Sequence, residues 1–122
     1  MPKYTSKMKD RVFDTVDAIV RSPRVVRYCV GITLDPYSRS KQYRYWQVPY
    51  PHFAVLETNL SANNALMLEK ELFYEIKNSR NNTLRRSKYV PDRIEGEYVN
   101  SLGGKASDND SAYVFYVAWR SK

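Results

Sequence analysis

Residues 24–45, RVVRYCVGITLDPYSRSKQYRY, decide the fold, because a strand pattern changes to a helix pattern within this stretch. Residues 24–32 are rich in β-branched and aromatic side chains and predict a strand. Asp35 and Pro36 predict a helix start, since an aspartate accepts a hydrogen bond from an unpaired amide and proline has no amide to leave unpaired. A short basic helix is expected to follow, to about Tyr45.

Hydrophobic periodicity and turn residues predict the other elements. These are a helix over residues 6–21, a strand over 52–58, a helix from Asn59 or Ser61 to about Lys77, a polar loop with at most short elements over 78–111 and a buried strand over 112–119. This order predicts an α+β fold, a small three-stranded, mainly antiparallel sheet flanked by helices. We expect a single domain over residues 1–122, with an N-terminal helix in 1–23, a core in 24–82, and a basic loop and final strand in 83–122.

Composition narrows the class of protein. Twenty Lys and Arg residues against 13 Asp and Glu residues give a net charge of +7, which favours an anionic partner, nucleic acid being the commonest large one. No stretch is apolar enough to cross a membrane, and the polar N-terminus does not resemble a secretory signal. With one cysteine, Cys29, and one histidine, His52, an intrachain disulfide and a Cys/His zinc cage are excluded. We expect an intracellular, reducing compartment, with cytoplasm and nucleus not distinguished.

Two basic segments are candidate nucleic-acid contacts. Residues 38–46 interleave Arg and Lys with tyrosines, and cations neutralise phosphates while aromatic rings stack on unpaired bases. Residues 80–93 form a second basic stretch that would close over a phosphate backbone. The candidate contacts are Lys41, Arg44, Arg85, Arg86 and Lys88. The alternative for both segments is a solvated run of charges.

One glutamate of the third predicted helix lies on its core-facing side. At about 100° per residue, Glu69 falls within the arc of Ala65, Leu68 and Leu72. An isolated ionised carboxylate there costs several kcal/mol unless it is paired, hydrogen-bonded or bound to a cation. Glu69 is therefore either half of a buried ion pair with an arginine, or a metal-binding or acid–base carboxylate in a cleft.

Arg39 and Tyr43 are a second candidate pair. They are four residues apart on the second predicted helix and therefore share a face. A cation beside a phenol suits the binding of a phosphate and of its attacking or leaving oxygen.

Together these segments resemble the GIY-YIG nuclease domain over residues 24–82. Residues 29–43 (CVGITLDPYSRSKQY) resemble its second strand, turn and first helix, and the matching motif residues are Gly31, Thr33, Arg39 and Tyr43. Residues 53–77 resemble its third strand and following helix, where Glu69 fills the position of the metal-binding glutamate. A family asparagine further on corresponds to Asn81 or Asn82, and we take Asn81 as a candidate nucleic-acid contact.

The chain departs from the family pattern in its tyrosines. Cys29 stands where the YIG element has tyrosine, and the adjacent Tyr28 is predicted to face the other side of the strand unless a bulge re-aims it. The strand that carries GIY is not found in its usual place. Residues 112–119 resemble such a strand in their residue types. We conjecture that they take its position in the sheet, with Tyr113 or Tyr116 supplying the phenol. The alternative is a plain sheet-filling strand.

The resemblance implies hydrolysis of phosphodiester bonds in DNA with one Mg²⁺ (or Mn²⁺) ion. Glu69 would bind the metal, Arg39 would offset charge in the transition state, and Tyr43 would hold the phosphate or assist the water. Tyr28 or a tyrosine of the last strand, here Tyr116, would orient or deprotonate the water. Cys29 is also a candidate base, although it is too short to reach the same oxygen. To cut both strands, so small a nuclease often acts as a homodimer or beside a targeting domain.

Two other functions stay open. The first is a nucleic-acid-binding module on the same scaffold, whose weakened site binds without cutting. The second is a structural or protein-interaction role, in which Glu69 and Arg39 form a buried ion pair.

Overall fold

A computed structural model of the chain describes residues 6–45, 49–78, 83–89 and 112–122. Its elements, in chain order, are α1 (Ser6–Arg21), β1 (Val25–Thr33), α2 (Pro36–Arg44), β2 (His52–Leu60), α3 (Ala62–Lys77), α4 (Thr83–Ser87) and β3 (Tyr113–Ser121). Within these residues the fold is α+β, with a three-stranded antiparallel sheet and four helices, which confirms the predicted fold class. Among the described residues of the predicted loop, which was expected to hold at most short elements, there is the short helix α4.

Side-chain caps explain where the two central helices begin. The Asp35 carboxylate accepts a hydrogen bond from the Ser38 amide at 3.0 Å, as expected for the start of α2. Of the two predicted caps for α3, the structure uses Ser61, whose hydroxyl accepts from the Asn64 amide at 3.1 Å. Asn59 instead is the last residue but one of β2 and has a φ of 59°, a left-handed conformation that asparagine tolerates better than most residues.

The last strand lies in the centre of the sheet. The strand order is β1-β3-β2, and β3 runs antiparallel to both neighbours. The register of β1 with β3 is unbroken from the pair Arg27–Arg120 to the pair Thr33–Val114. The sheet therefore depends on β3, because β1 and β2 each pair with it.

Alternation along the strands divides the sheet into two covered faces. On the first, which we call the α1–α3 face, strand residues such as Tyr28 and Phe115 join a core cluster with side chains of α1 and α3. On the second, the α2 face, Cys29, Tyr116 and Ala118 cluster with Tyr43 of α2. Helices α2 and α3 therefore lie on opposite faces. No helix in the described part of the chain combines the length and the apolarity needed to span a membrane.

Candidate functional site

A chain of hydrogen bonds joins α2 to the central strand on the α2 face. Arg39 Nη1 donates to Tyr116 Oη at 3.1 Å, and the Tyr116 and Tyr43 hydroxyls lie 2.8 Å apart. Tyr43 and Tyr116 are fully buried, whereas Arg39 is half-buried. The predicted sharing of a helix face by Arg39 and Tyr43 is confirmed, since both contact the same phenol. The arrangement holds a guanidinium in a defined position at the surface, which suits a phosphate.

Aromatic packing holds Tyr116 in place. The ring of Phe53, on β2, stacks on that of Tyr116 with centroids 4.7 Å apart and planes at 23°. Tyr50 packs against Tyr43 at 6.1 Å between centroids, and its amide donates to the Tyr43 carbonyl at 3.0 Å. Sequence reasoning missed both residues. The stacking of Phe53 on Tyr116 depends on strand register, and the contact of Tyr50 with Tyr43 depends on how the chain returns to α2, and no local pattern encodes either.

The structure separates the candidate tyrosines. Tyr28 and Tyr113 belong to the core cluster of the α1–α3 face, and the register shows no bulge that would re-aim Tyr28. Tyr28 thus faces the side of the sheet opposite to Cys29, as the alternation predicted, and the structure does not bring this candidate phenol to the face that carries the Arg39 contact. Its hydroxyl donates to the Arg85 carbonyl at 2.5 Å, and burial raises the pKa of Tyr28, so this phenol stays protonated near neutral pH. Of the three candidate phenols, Tyr116 is the one that meets Arg39 and Tyr43.

Cys29 lies on the same face as this hydrogen-bond chain. Its thiol is 1% exposed and belongs to the cluster of Tyr43, Tyr116 and Ala118. A cysteine at this position therefore fills space beneath α2, and a role as a base stays a prediction.

Glu69 is buried, as the periodicity of α3 predicted. Glu69 is 4% exposed, although its side chain is ionisable, and it is one of the buried residues of α3. Because the other buried side chains of α3 pack on the α1–α3 face, Glu69 and Arg39 are carried by helices on opposite sides of the sheet. The helices that carry Glu69 and Arg39 therefore do not place them on one face of the sheet, contrary to the expectation of a shared cleft.

Two cations of the second basic segment hold α4 against α1. Arg85 donates to both carboxylate oxygens of Asp17, at 2.9 and 2.6 Å, and its guanidinium carbon lies 4.2 Å from the centroid of the Phe13 ring. The hydrogen bonds to Asp17 raise the pKa of Arg85 further above its already high value. Lys88 donates to the Val20 carbonyl at 2.7 Å. Both cations thus have structural contacts, and their binding to nucleic acid stays a prediction.

The remaining candidate contacts are exposed or outside the described residues. Arg86 is exposed on α4. Lys41 and Arg44 are exposed on α2, where the Lys41 ammonium lies 4.4 Å from the centroid of the Tyr37 ring. Asn81 and Asn82 lie outside the described residues.

Mg²⁺ or Mn²⁺ is the metal that the resemblance implies for this protein. Within the described ranges no group of three or more His, Cys, Asp or Glu side chains is positioned to hold a metal ion. Magnesium is commonly bound through one or two carboxylates together with waters and substrate phosphates. Glu69 is a single carboxylate in a residue that is 4% exposed, and the binding of Mg²⁺ or Mn²⁺ to it stays a prediction.

Comparisons of the chain with protein-family models, with curated proteins and with solved structures found no match. The likeness to the GIY-YIG domain therefore rests on the residues of the chain itself.

Proposed function

We propose that this protein is a metal-dependent endonuclease of the GIY-YIG type that hydrolyses phosphodiester bonds in DNA. The observation that carries the proposal is the hydrogen-bond chain of Arg39, Tyr116 and Tyr43. Arg39 and Tyr43 occupy motif positions, and Tyr116 comes from the strand that we conjectured to replace the missing first strand. Tyr116 meets Arg39 and Tyr43 although it lies 77 and 73 residues beyond them in the sequence.

In this proposal the side chains have distinct tasks. Arg39 binds the non-bridging oxygens of the scissile phosphate and offsets the charge that develops in the transition state. Tyr116 holds the guanidinium through its hydroxyl. In this proposal the same hydroxyl orients the attacking water or takes its proton. Tyr43 fixes the Tyr116 hydroxyl. The resemblance assigns Mg²⁺ or Mn²⁺ to Glu69, whose helix lies across the sheet from Arg39, so the metal would have to reach the leaving oxygen from that side.

The outer surface of α2 supports nucleic acid as the substrate. Lys41 and Arg44 are exposed there and would contact backbone phosphates. Tyr37 and Tyr45 are 68% and 80% exposed, which leaves their rings available for stacking on unpaired bases. A surface that combines cations with exposed rings is typical of proteins that bind single-stranded segments.

A second candidate function is nucleic-acid binding without cleavage. The phenols of Tyr43 and Tyr116 are fully buried, which suits the positioning of Arg39 better than direct contact with water at a scissile bond. In addition, α3 carries Glu69 on the opposite side of the sheet from Arg39. A binding module needs Arg39 and the surface of α2, but it does not need Glu69.

Nicking of supercoiled plasmid DNA in Mg²⁺ tests the first candidate. We expect the wild type to cut and both Arg39→Gln and Glu69→Gln to lose roughly a hundredfold or more in rate, the usual effect of removing a group that stabilises transition-state charge. Glu71→Gln is the matched control, because Glu71 lies on the same helix with 43% of its side chain exposed. A wild type that cuts no faster than Glu69→Gln would contradict the proposed nuclease activity.

Fluorescence anisotropy with labelled duplex and single-stranded oligonucleotides, in EDTA, tests the second candidate. Salt-dependent binding that Arg39→Gln weakens and Glu69→Gln preserves, without cleavage by the wild type, would assign the binding module. Absence of both cleavage and binding would leave the structural or interaction role.

The proposal also includes an assembly and a compartment. A homodimer would supply two sites, one for each strand of a duplex, and light scattering coupled to size-exclusion chromatography measures it. The single thiol, Cys29, is compatible with the reducing intracellular compartment that we propose.

A further inference from the structure

Two arginines face each other on neighbouring strands at one end of the sheet. Arg27 of β1 and Arg120 of β3 are direct partners in the antiparallel register. Side chains in such a pair have Cβ atoms about 4.5–5.5 Å apart, and like charges there destabilise a sheet. Arg27 is exposed and Arg120 half-buried, and no carboxylate of the described residues forms an ion pair with either.

This arginine pair belongs to the same face of the sheet as Arg39. Arg27 precedes Cys29 by two residues and Arg120 follows Ala118 by two, so alternation places both on the α2 face. Arg120 is also four residues beyond Tyr116 on β3. At about 3.4 Å per residue, the arginine pair lies roughly 14 Å along the strand from Tyr116, whose hydroxyl accepts from Arg39.

Further cations surround the pair. Arg24 and Lys122 are exposed at the same end of the sheet, where the Lys122 amide donates to the Arg24 carbonyl at 2.9 Å. Four cationic side chains are thus concentrated at the ends of two adjacent strands. Such a concentration is favourable when an anion neutralises it and unfavourable otherwise.

We propose that Arg27 and Arg120 form a second phosphate-binding site that holds the backbone of the same nucleic acid whose scissile phosphate Arg39 binds. The phosphate between the two guanidinium groups removes their repulsion and accepts hydrogen bonds from both. The separation of roughly 14 Å equals the axial rise of about four nucleotides in a duplex strand, at 3.4 Å each. This inference rests on the proposed function, and it makes a polymer rather than a small phosphodiester the ligand.

The test is a salt titration of the affinity for a fluorescently labelled 20-base-pair duplex in EDTA, so that cleavage does not enter. The double variant Arg27→Gln/Arg120→Gln is compared with Lys70→Gln/Lys77→Gln. The control removes the same charge from exposed positions of α3, on the other side of the sheet. We expect the slope of log affinity against log salt to fall by about 0.9 for the arginine variant, the value for one phosphate contact, and to stay unchanged for the control.

Equal losses of slope and affinity in the two double variants would overturn the proposal, because net charge alone would explain them. The proposal would also be overturned if the arginine variant lost binding to vesicles containing phosphatidylserine but bound the duplex as the wild type does. That result would assign the patch to a lipid surface. Urea unfolding checks the fold. The arginine variant should be at least as stable as the wild type, since it relieves a like-charge pair. The salt titration is repeated with the single variant Arg27→Gln, which changes an exposed position.

The outcomes also separate this inference from the proposed function. One outcome is that the wild type does not cut plasmid DNA while the arginine variant shows the expected decrease in the slope of log affinity against log salt. That result would support the second phosphate-binding site and contradict the proposed hydrolysis. If the wild type cuts and the arginine variant binds the duplex as the wild type does, the inference fails and the nuclease stands.

Discussion

Tyr116 connects a surface charge to the interior of the protein. Its ring lies within the sheet core, while its hydroxyl accepts from Arg39 and contacts the Tyr43 hydroxyl. A long arginine side chain loses considerable rotamer freedom when it is fixed. A buried phenol that is already held by Phe53 and Tyr43 supplies a rigid acceptor for it, so the guanidinium is positioned before any anion arrives.

Tyr116→Phe should lower the free energy of unfolding by about 1–3 kcal/mol, because it removes the acceptor of a charged donor and the bond to a second phenol. Urea unfolding measures this change. Tyr74→Phe, at a residue 69% exposed on α3, is the matched control and should change stability by less than about 0.5 kcal/mol. Equal effects in the two variants would contradict the hydrogen-bond chain.

Tyr28 should make stability fall at alkaline pH. Burial raises its pKa in the folded protein, whereas in the unfolded chain it ionises near pH 10. The stabilisation that the protonated Tyr28 phenol gives the folded protein is therefore complete below about pH 10. It is lost as the pH rises above about 10, at no more than about 1.4 kcal/mol per pH unit. Tyr28→Phe cannot ionise, so its unfolding free energy, measured in urea from pH 9 to 11, should decline less steeply. Parallel declines for the two proteins would show that Tyr28 is not the cause.

Among the elements, α2 carries the site and depends on its first turn. The Asp35 carboxylate accepts from both the amide and the hydroxyl of Ser38, at 3.0 and 2.8 Å. Arg39 and Tyr43 follow on the same short helix, so their positions depend on this cap. Helices of so few residues are marginal in water by themselves.

Asp35→Ala should therefore lower the melting temperature and weaken nucleic-acid binding, while Asp35→Asn retains most of the wild-type behaviour because asparagine also caps helices. The hydrogen bonds from the Ser38 amide and hydroxyl lower the pKa of Asp35. Its stabilisation is thus present above about pH 4 and is lost as the pH falls through the lowered value. Circular dichroism melts at pH 7 and pH 3 should show the gap between wild type and Asp35→Ala closing at low pH. A gap of constant size would argue against the carboxylate as the cap.

Local patterns predicted the elements but not their neighbours. The change from strand to helix at Asp35, the cap at Ser61 and the burial of Glu69 each follow from residues within one or two turns, and the structure confirms them. The contact of Tyr116 with Arg39 and the opposition of Arg27 and Arg120 depend on which strands pair and in what register. Those choices are made by residues distant along the chain, and periodicity carries no information about them.

At the scale of the whole molecule, the central strand unites both cores. Phe115 is fully buried among side chains of the α1–α3 face, and its neighbour Tyr116 is fully buried on the α2 face. From Phe115 to Trp119, β3 pairs with a strand on each side, while the other two strands each pair with β3 alone. Damage to β3 should therefore affect the entire fold.

Phe115→Ala should lower the free energy of unfolding by about 3–5 kcal/mol, a large part of the 5–15 kcal/mol typical of a domain. Val55→Ala, at an outer-strand residue 41% exposed, is the control and should cost less than about 1 kcal/mol. Urea unfolding compares the two variants. Similar losses would mean that the central strand does not dominate stability.

The position of β3 also has a consequence for the protein while it is being made. The 52 residues between Leu60 and Tyr113 must be translated after β2 before the strand that joins β1 to β2 exists. At about 5–20 residues per second this takes roughly 3–10 s, during which two strands have no partner within the nascent chain. Unpaired strand edges are sites of aggregation, so we expect ribosome-associated chaperones to bind this chain until its last strand emerges.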